Sequence, residues 1–126
     1  MTTFGWIVLV VAAVFFAGMG VYALVTPARL VAPFDVTLGS ATARSEVRAV
    51  YGGFGLAIAA ILVVAIADAQ LRAGIVTTVA AALAGMAFGR AVSALDARTS
   101  FYPNWFYFLV EAVAAAGLFW VAAVTA

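Results

Sequence analysis

The chain has 126 residues, of which 68% are hydrophobic and 9% charged, and its formal net charge is +1. Soluble domains are about 45–50% apolar and about 25% charged, so this composition belongs in a membrane and leaves no length for a soluble domain. Without cysteine or histidine, and with arginine as its basic residue throughout, the sequence has no thiols for disulfides or zinc, no imidazole for haem or base chemistry, and no lysine for a Schiff base. The small net charge implies no nucleic-acid partner.

A bilayer core takes about 20 apolar residues per helix, and four such segments with short links use up the sequence. The first runs from about Phe4 to Val25 and carries no charge. It has no basic leader, and its apolar run exceeds the 7–15 residues of a signal-peptide core, so it reads as a retained transmembrane helix. Pro27 ends it, because proline disfavours helical geometry in the residue before it.

Residues 26–44 form the longest predicted connection. Its first part alternates Leu30, Val31, Phe34 and Val36 with Arg29 and Asp35, a pattern suited to the membrane interface. The second helix is predicted over about 45–67, with Thr42 or Ser45 as its cap. It opens on Arg44, Glu46 and Arg48 and is then uncharged to Asp68. Gly52, Gly55 and Ala59 give it a smooth face for close helix packing.

A very short link around Asp68–Gln70 forces a tight helical hairpin, and Asp68 and Arg72 read as ordinary loop charges. The third helix is predicted over about 71–95, with Ala81, Gly85 and Gly89 as a second small-residue stripe and Arg90 directly after it. A connection from Asp96 to Tyr102 leads to a fourth helix over about 103–124. Pro103 suits its first turn, where a missing N–H costs nothing. Asn104, Tyr107 and Glu111 fall on one face, and Tyr102 and Trp105 sit where an aromatic belt is expected. The predicted fold is therefore an all-α membrane protein, one integral domain over residues 1–126, with four transmembrane helices in an up-down-up-down bundle.

Glu111 is the most informative residue, because it stands alone in an apolar segment. Even on mild scales, a carboxylate at membrane depth costs about 2.5–3.5 kcal/mol, and such groups are usually paired or functional. With four crossings, the start of helix two, the end of helix three and the start of helix four share one leaflet. At 1.5 Å per residue, Arg48, Arg90 and Glu111 lie roughly 5, 8 and 12 Å deep. The sequence thus predicts one polar cluster of Glu46, Arg48, Tyr51, Arg90, Asn104, Tyr107 and Glu111, with Asp96 at its mouth. Against this, Glu46 and Arg48 could simply snorkel to the headgroups, and an Arg90–Glu111 pair could simply pin two helices together.

Arginine is concentrated on the side of connections one and three, which places both termini outside the cytoplasm by the positive-inside rule. A bacterial cytoplasmic membrane is the expected location.

The run Glu46-Val-Arg48-Ala-Val-Tyr51-Gly52-Gly53, the run Gly89-Arg90-Ala-Val-Ser93 with Asp96 beyond it, and the lone Glu111 together resemble a family of small bacterial four-helix membrane proteins known only as a domain of unknown function. The resemblance extends from the second helix to the fourth. That family usually has an aspartate–glycine pair and a proline after the second run, where this chain has Ala97 and a later Pro103. The resemblance points to the same residues and implies no activity.

Three functions fit these residues. The leading one is binding of a lipid or amphipathic small molecule through the polar cluster, since arginines suit a carboxylate or phosphate headgroup. The second is an accessory or assembly subunit, as a homo-oligomer or in a larger membrane complex. The third is a lipid-modifying enzyme using Glu111 or Glu46 with Tyr51 as acid and base. A transporter fits least, since no helix has a mid-membrane break. No cofactor and no metal is expected.

Overall fold

A computed structural model describes all 126 residues. It is all-helical and contains no strand. Four helices are long and apolar enough to cross a membrane: α1 (Thr3–Val25), α3 (Ala41–Ala67), α4 (Ala69–Leu95) and α5 (Phe101–Thr125). Between α1 and α3 lies a short helix, α2 (Pro27–Val31), followed by a tighter turn, Ala32–Phe34. At 1.5 Å per residue, the 23 residues of α1 extend about 35 Å, enough for a hydrocarbon core of about 30 Å.

The helix ends follow local chemistry. Pro27 opens α2, where its fixed φ is helical and its missing N–H is not needed. Asp35 ends the following turn in a left-handed conformation, φ 58°, which aspartate tolerates better than most residues. Ser40 caps α3, accepting a hydrogen bond from Ala43 N at 3.1 Å. This corrects the expectation of Thr42 or Ser45. Ser40 is the last residue with extended backbone, and the other two already lie inside the helix.

The link between α3 and α4 shrinks to Asp68, whose carboxylate accepts from Gln70 N at 2.9 Å and Leu71 N at 3.2 Å. From one turn into α4, Arg72 donates through Nε to the Ala65 carbonyl at 2.8 Å and through Nη2 to the Ile66 carbonyl at 3.0 Å. Asp68 and Arg72 are therefore helix caps, not ordinary loop charges. One satisfies the orphan N–H groups of α4, and the other the orphan carbonyls of α3. Arg72 also stacks 4.7 Å from the Trp6 ring centroid.

The chain forms two compact units. One comprises Met1–Leu9 with Val64–Ala126, and the other Val10–Val63. In the first, α4 packs along α5. Val76, Val79, Ala80, Leu83 and Ala87 are the buried face of α4, and Glu111, Ala115, Leu118, Val121 and Ala122 that of α5. Both sets recur at three- and four-residue spacing, the signature of a helical stripe. At the other end of α5, Trp120 meets Phe4 edge-on at 5.5 Å.

In the second unit, α1 and α3 meet through glycine. A Cβ added to Gly20 would lie 2.8 Å from Leu56 N and 2.9 Å from the Gly52 carbonyl, and one added to Gly55 would lie 3.0 Å from the Phe16 carbonyl. Backbone touches backbone here, as small residues allow in membrane helices. Gly85 and Gly89 do not play that part, contrary to expectation: a Cβ on either meets no atom within 4 Å. They have the same spacing as a packing stripe, but their face of α4 is open.

Candidate functional site

The buried faces of α4 and α5 end on a charged layer. One turn beyond Ala87 on α4 stands Arg90, and one turn before Ala115 on α5 stands Glu111. The two side chains meet in a fork: Arg90 Nε donates to Glu111 Oε1 at 2.7 Å and Nη2 to Oε2 at 3.2 Å. Such bidentate arginine–carboxylate pairs are the strong ones, because both hydrogen bonds are charge-assisted and their geometry is fixed.

Burial is unequal across the pair. The Glu111 side chain keeps 5% of its surface accessible and that of Arg90 keeps 23%. Tyr107, one turn before Glu111, places its ring centroid 5.6 Å from the Arg90 guanidinium carbon, within cation–π range. Tyr107 in turn belongs to an aromatic group at the start of α5, with Tyr102 6.2 Å away and Phe106 5.1 Å away. One edge of the guanidinium is therefore held by carboxylate, and the Tyr107 ring lies within cation–π distance of it.

Other residues of the predicted cluster have local roles. Asn104 donates to Thr99 Oγ1 at 3.1 Å, and Ser100 Oγ donates to the Tyr102 carbonyl at 2.7 Å. These bonds brace the first turn of α5, where Tyr102 is still extended. Asp96 is exposed at the end of α4. In the Val10–Val63 unit, Arg48 Nε donates to the Leu24 carbonyl at 3.0 Å, while Glu46 and Tyr51 are exposed.

The polar groups of the site are satisfied within the protein. No buried side-chain nitrogen or oxygen lacks a hydrogen-bond partner. Asn104 is bonded within its loop, and Tyr51 is 38% exposed. No group of three or more histidine, cysteine, aspartate or glutamate side chains is placed to hold a metal. Of the two charged partners, Arg90 is the more accessible.

Sequence reasoning missed one position that carries contacts, Gly20, and two others, Asp68 and Arg72, have roles beyond the loop charges expected there. Gly20 is the α1 partner of the glycines of α3, and its signal is the spacing Phe16, Gly20, Leu24 along one helix face. Asp68 and Arg72 bracket the tightest link, and an aspartate followed at once by a helical run is an N-cap signal.

Residues 6–122 match the family described as Domain of unknown function (DUF4345). The chain belongs to this family. The match takes in all four long helices and both runs that bear Arg48 and Arg90. The family description assigns no activity. No curated protein and no solved structure matches the chain.

Proposed function

We propose that this DUF4345 protein binds the anionic headgroup of a lipid or similar amphiphile at Arg90. The observation that carries this reading is the unequal burial of the ion pair, 23% accessible at Arg90 against 5% at Glu111. An incoming carboxylate or phosphate meets the guanidinium first and can share it with Glu111. The Tyr107 ring and the apolar helix surfaces suit the rest of an amphiphile. Arginine favours such oxyanions through planar, paired donors.

The test is native mass spectrometry after extraction in mild detergent, comparing the parent with the paired variant Arg90→Gln/Glu111→Gln. The variant removes both charges together, so neither is left buried and uncompensated, and it is expected to keep the fold, which its thermal unfolding checks. A bound amphiphile in the parent that is lost from the variant supports the reading. A parent free of small molecules sinks it.

A second reading, an accessory subunit of a larger membrane assembly, is favoured by the complete satisfaction of buried polar groups. In that case the pair is a staple between α4 and α5 and needs no third partner. A protein that copurifies in fixed ratio, with no amphiphile bound, would select it. In both readings the chain sits in a bacterial cytoplasmic membrane with both termini outside the cytoplasm.

A further inference from the structure

The segment from Arg44 to Gly53 holds an arrangement that the Arg90 reading does not use. The apolar part of α1 carries no charge from Thr3 to Val25, and α3 carries none from Ala49 to Ala67. Leu24 and Arg48 therefore mark the same polar boundary of the two helices. Arg48 Nε donates to the Leu24 carbonyl at 3.0 Å, taking up one of the carbonyls left free where α1 ends. A cation is favoured there by the helix dipole.

That bond depends on close approach. Gly52 lies against the Leu24 side chain, and a Cβ on Gly52 would stand 2.8 Å from Leu24 Cδ2. At Arg48 the helix widens into a π-helical stretch, Arg48–Gly53, a feature often found at functional sites.

Anchoring through Nε leaves both Nη groups of Arg48 without a protein partner, on an exposed side chain. Arg44 is one turn earlier, also exposed and unpaired, and Arg48 N–H bonds to the Arg44 carbonyl. Residues four apart on a helix are side-by-side neighbours, and like charges at that spacing repel. Glu46 lies between them in sequence but faces another way, since residues two apart do not meet. At the polar end of an apolar span, two arginines thus stand one turn apart, one of them anchored at Leu24 and neither in a salt bridge with a carboxylate.

We infer that Arg44 and Arg48 form a phosphate site for an anionic phospholipid headgroup, separate from Arg90. The fixed Arg48 presents its Nη pair to the phosphate oxygens, and Arg44 closes on the same group from one turn away. Juxtamembrane arginines attract anionic lipid generally. The distinguishing feature here is the Leu24 anchor, which holds one guanidinium in a set orientation.

The experiment places the full chain in nanodiscs of phosphatidylcholine mixed with phosphatidylglycerol and measures, by native mass spectrometry, which lipid stays bound. The parent is expected to enrich phosphatidylglycerol. Arg44→Gln, which leaves the Leu24 bond intact, and Arg48→Lys, which keeps the charge but cannot both cap Leu24 and offer a fork, are expected to lose the enrichment. Arg29→Gln removes an equal charge from α2 and is expected to keep it. Enrichment unchanged in Arg44→Gln and Arg48→Lys overturns the site, as does a parent with no preference. Should Arg48→Lys fail to fold, Arg44→Gln decides alone. Loss in Arg29→Gln equal to that in Arg44→Gln reduces the effect to surface charge and also overturns it. Displacement of the lipid by inorganic phosphate alone would assign the fork to a soluble anion instead. Enrichment lost in Arg90→Gln/Glu111→Gln but kept in Arg44→Gln would return the lipid to Arg90 and defeat this inference. The reverse pattern leaves it standing whether or not Arg90 binds anything.

Discussion

Glu111 is costly where it stands, and its cost is offset by one partner held in one geometry. The carboxylate keeps 5% of its surface and takes both its strong hydrogen bonds from Arg90. Breaking a buried pair by removing one charge typically costs about 3–5 kcal/mol, because the other charge is left uncompensated. Glu111→Gln strands a guanidinium that still reaches some solvent or headgroup, so a loss near the low end, about 3 kcal/mol, is expected. Arg90→Gln strands the more deeply buried carboxylate and should cost more. Thermal unfolding in detergent of the parent and the two variants checks both the size and the order. A Glu111→Gln protein as stable as the parent would show that the pair contributes nothing. The site was partly legible in the sequence for the same reason that it is costly: a lone glutamate in an uncharged segment is conspicuous. Its partner was not legible, since Arg48 and Arg90 satisfied the same depth argument. The choice rests on which helix faces meet, and Arg48 is engaged at Leu24. Arg72 was read as a loop charge because its role, capping the carbonyls of the preceding helix, is a tertiary contact that spacing does not record.

At the scale of the helices, two stripes with similar spacing have opposite fates. A Cβ added to Gly52 or Gly55 of α3 would press into α1, whereas one added to Gly85 or Gly89 of α4 would meet nothing within 4 Å. Periodicity places small residues on one face of a helix but does not say what that face meets, which is why the sequence named both stripes alike. It also gave no weight to Gly20, whose added Cβ would lie 2.8 Å from a backbone nitrogen of α3. Backbone cannot yield as a flexible side chain can, so even Gly20→Ala must push the helices apart, with a loss of about 1–3 kcal/mol typical of overpacking. Gly89→Ala should be neutral or slightly stabilising, because an open helical position gains from alanine up to about 1 kcal/mol in propensity. Melting temperatures of the two variants, measured side by side, test the contrast. Equal tolerance of alanine at both positions would mean that α1 and α3 do not approach through Gly20. The presence of four long apolar helices was readable from hydropathy because charges, prolines and capping side chains separate the apolar runs.

For the whole molecule, the open question with the sharpest answer is orientation. Four crossings put both termini on one side, and arginine is unevenly divided between the two. If each long helix crosses once, the connections with Arg29, Arg44 and Arg98 fall on one side and Arg72 falls on the other. The structure adds a physical reason to discount Arg72: its guanidinium is occupied by the Ala65 and Ile66 carbonyls and the Trp6 ring. Orientation follows arginine in short loops and near the ends of the spans, so the connections bearing Arg29, Arg44 and Arg98 should face the cytoplasm. Arg48 and Arg90 belong in neither count, since one is bonded to Leu24 and the other to Glu111. A phosphatase fused after Ala126 should then be active on the outer face of a bacterial cytoplasmic membrane, and a fluorescent protein fused there should be dark. Reversing the bias with Arg29→Gln, Arg44→Gln and Arg98→Gln together should raise the fluorescent fraction. If the fluorescent fusion is bright in the unaltered chain, the proposed orientation is wrong, and the headgroup fork of Arg44 and Arg48 would then face the outer leaflet.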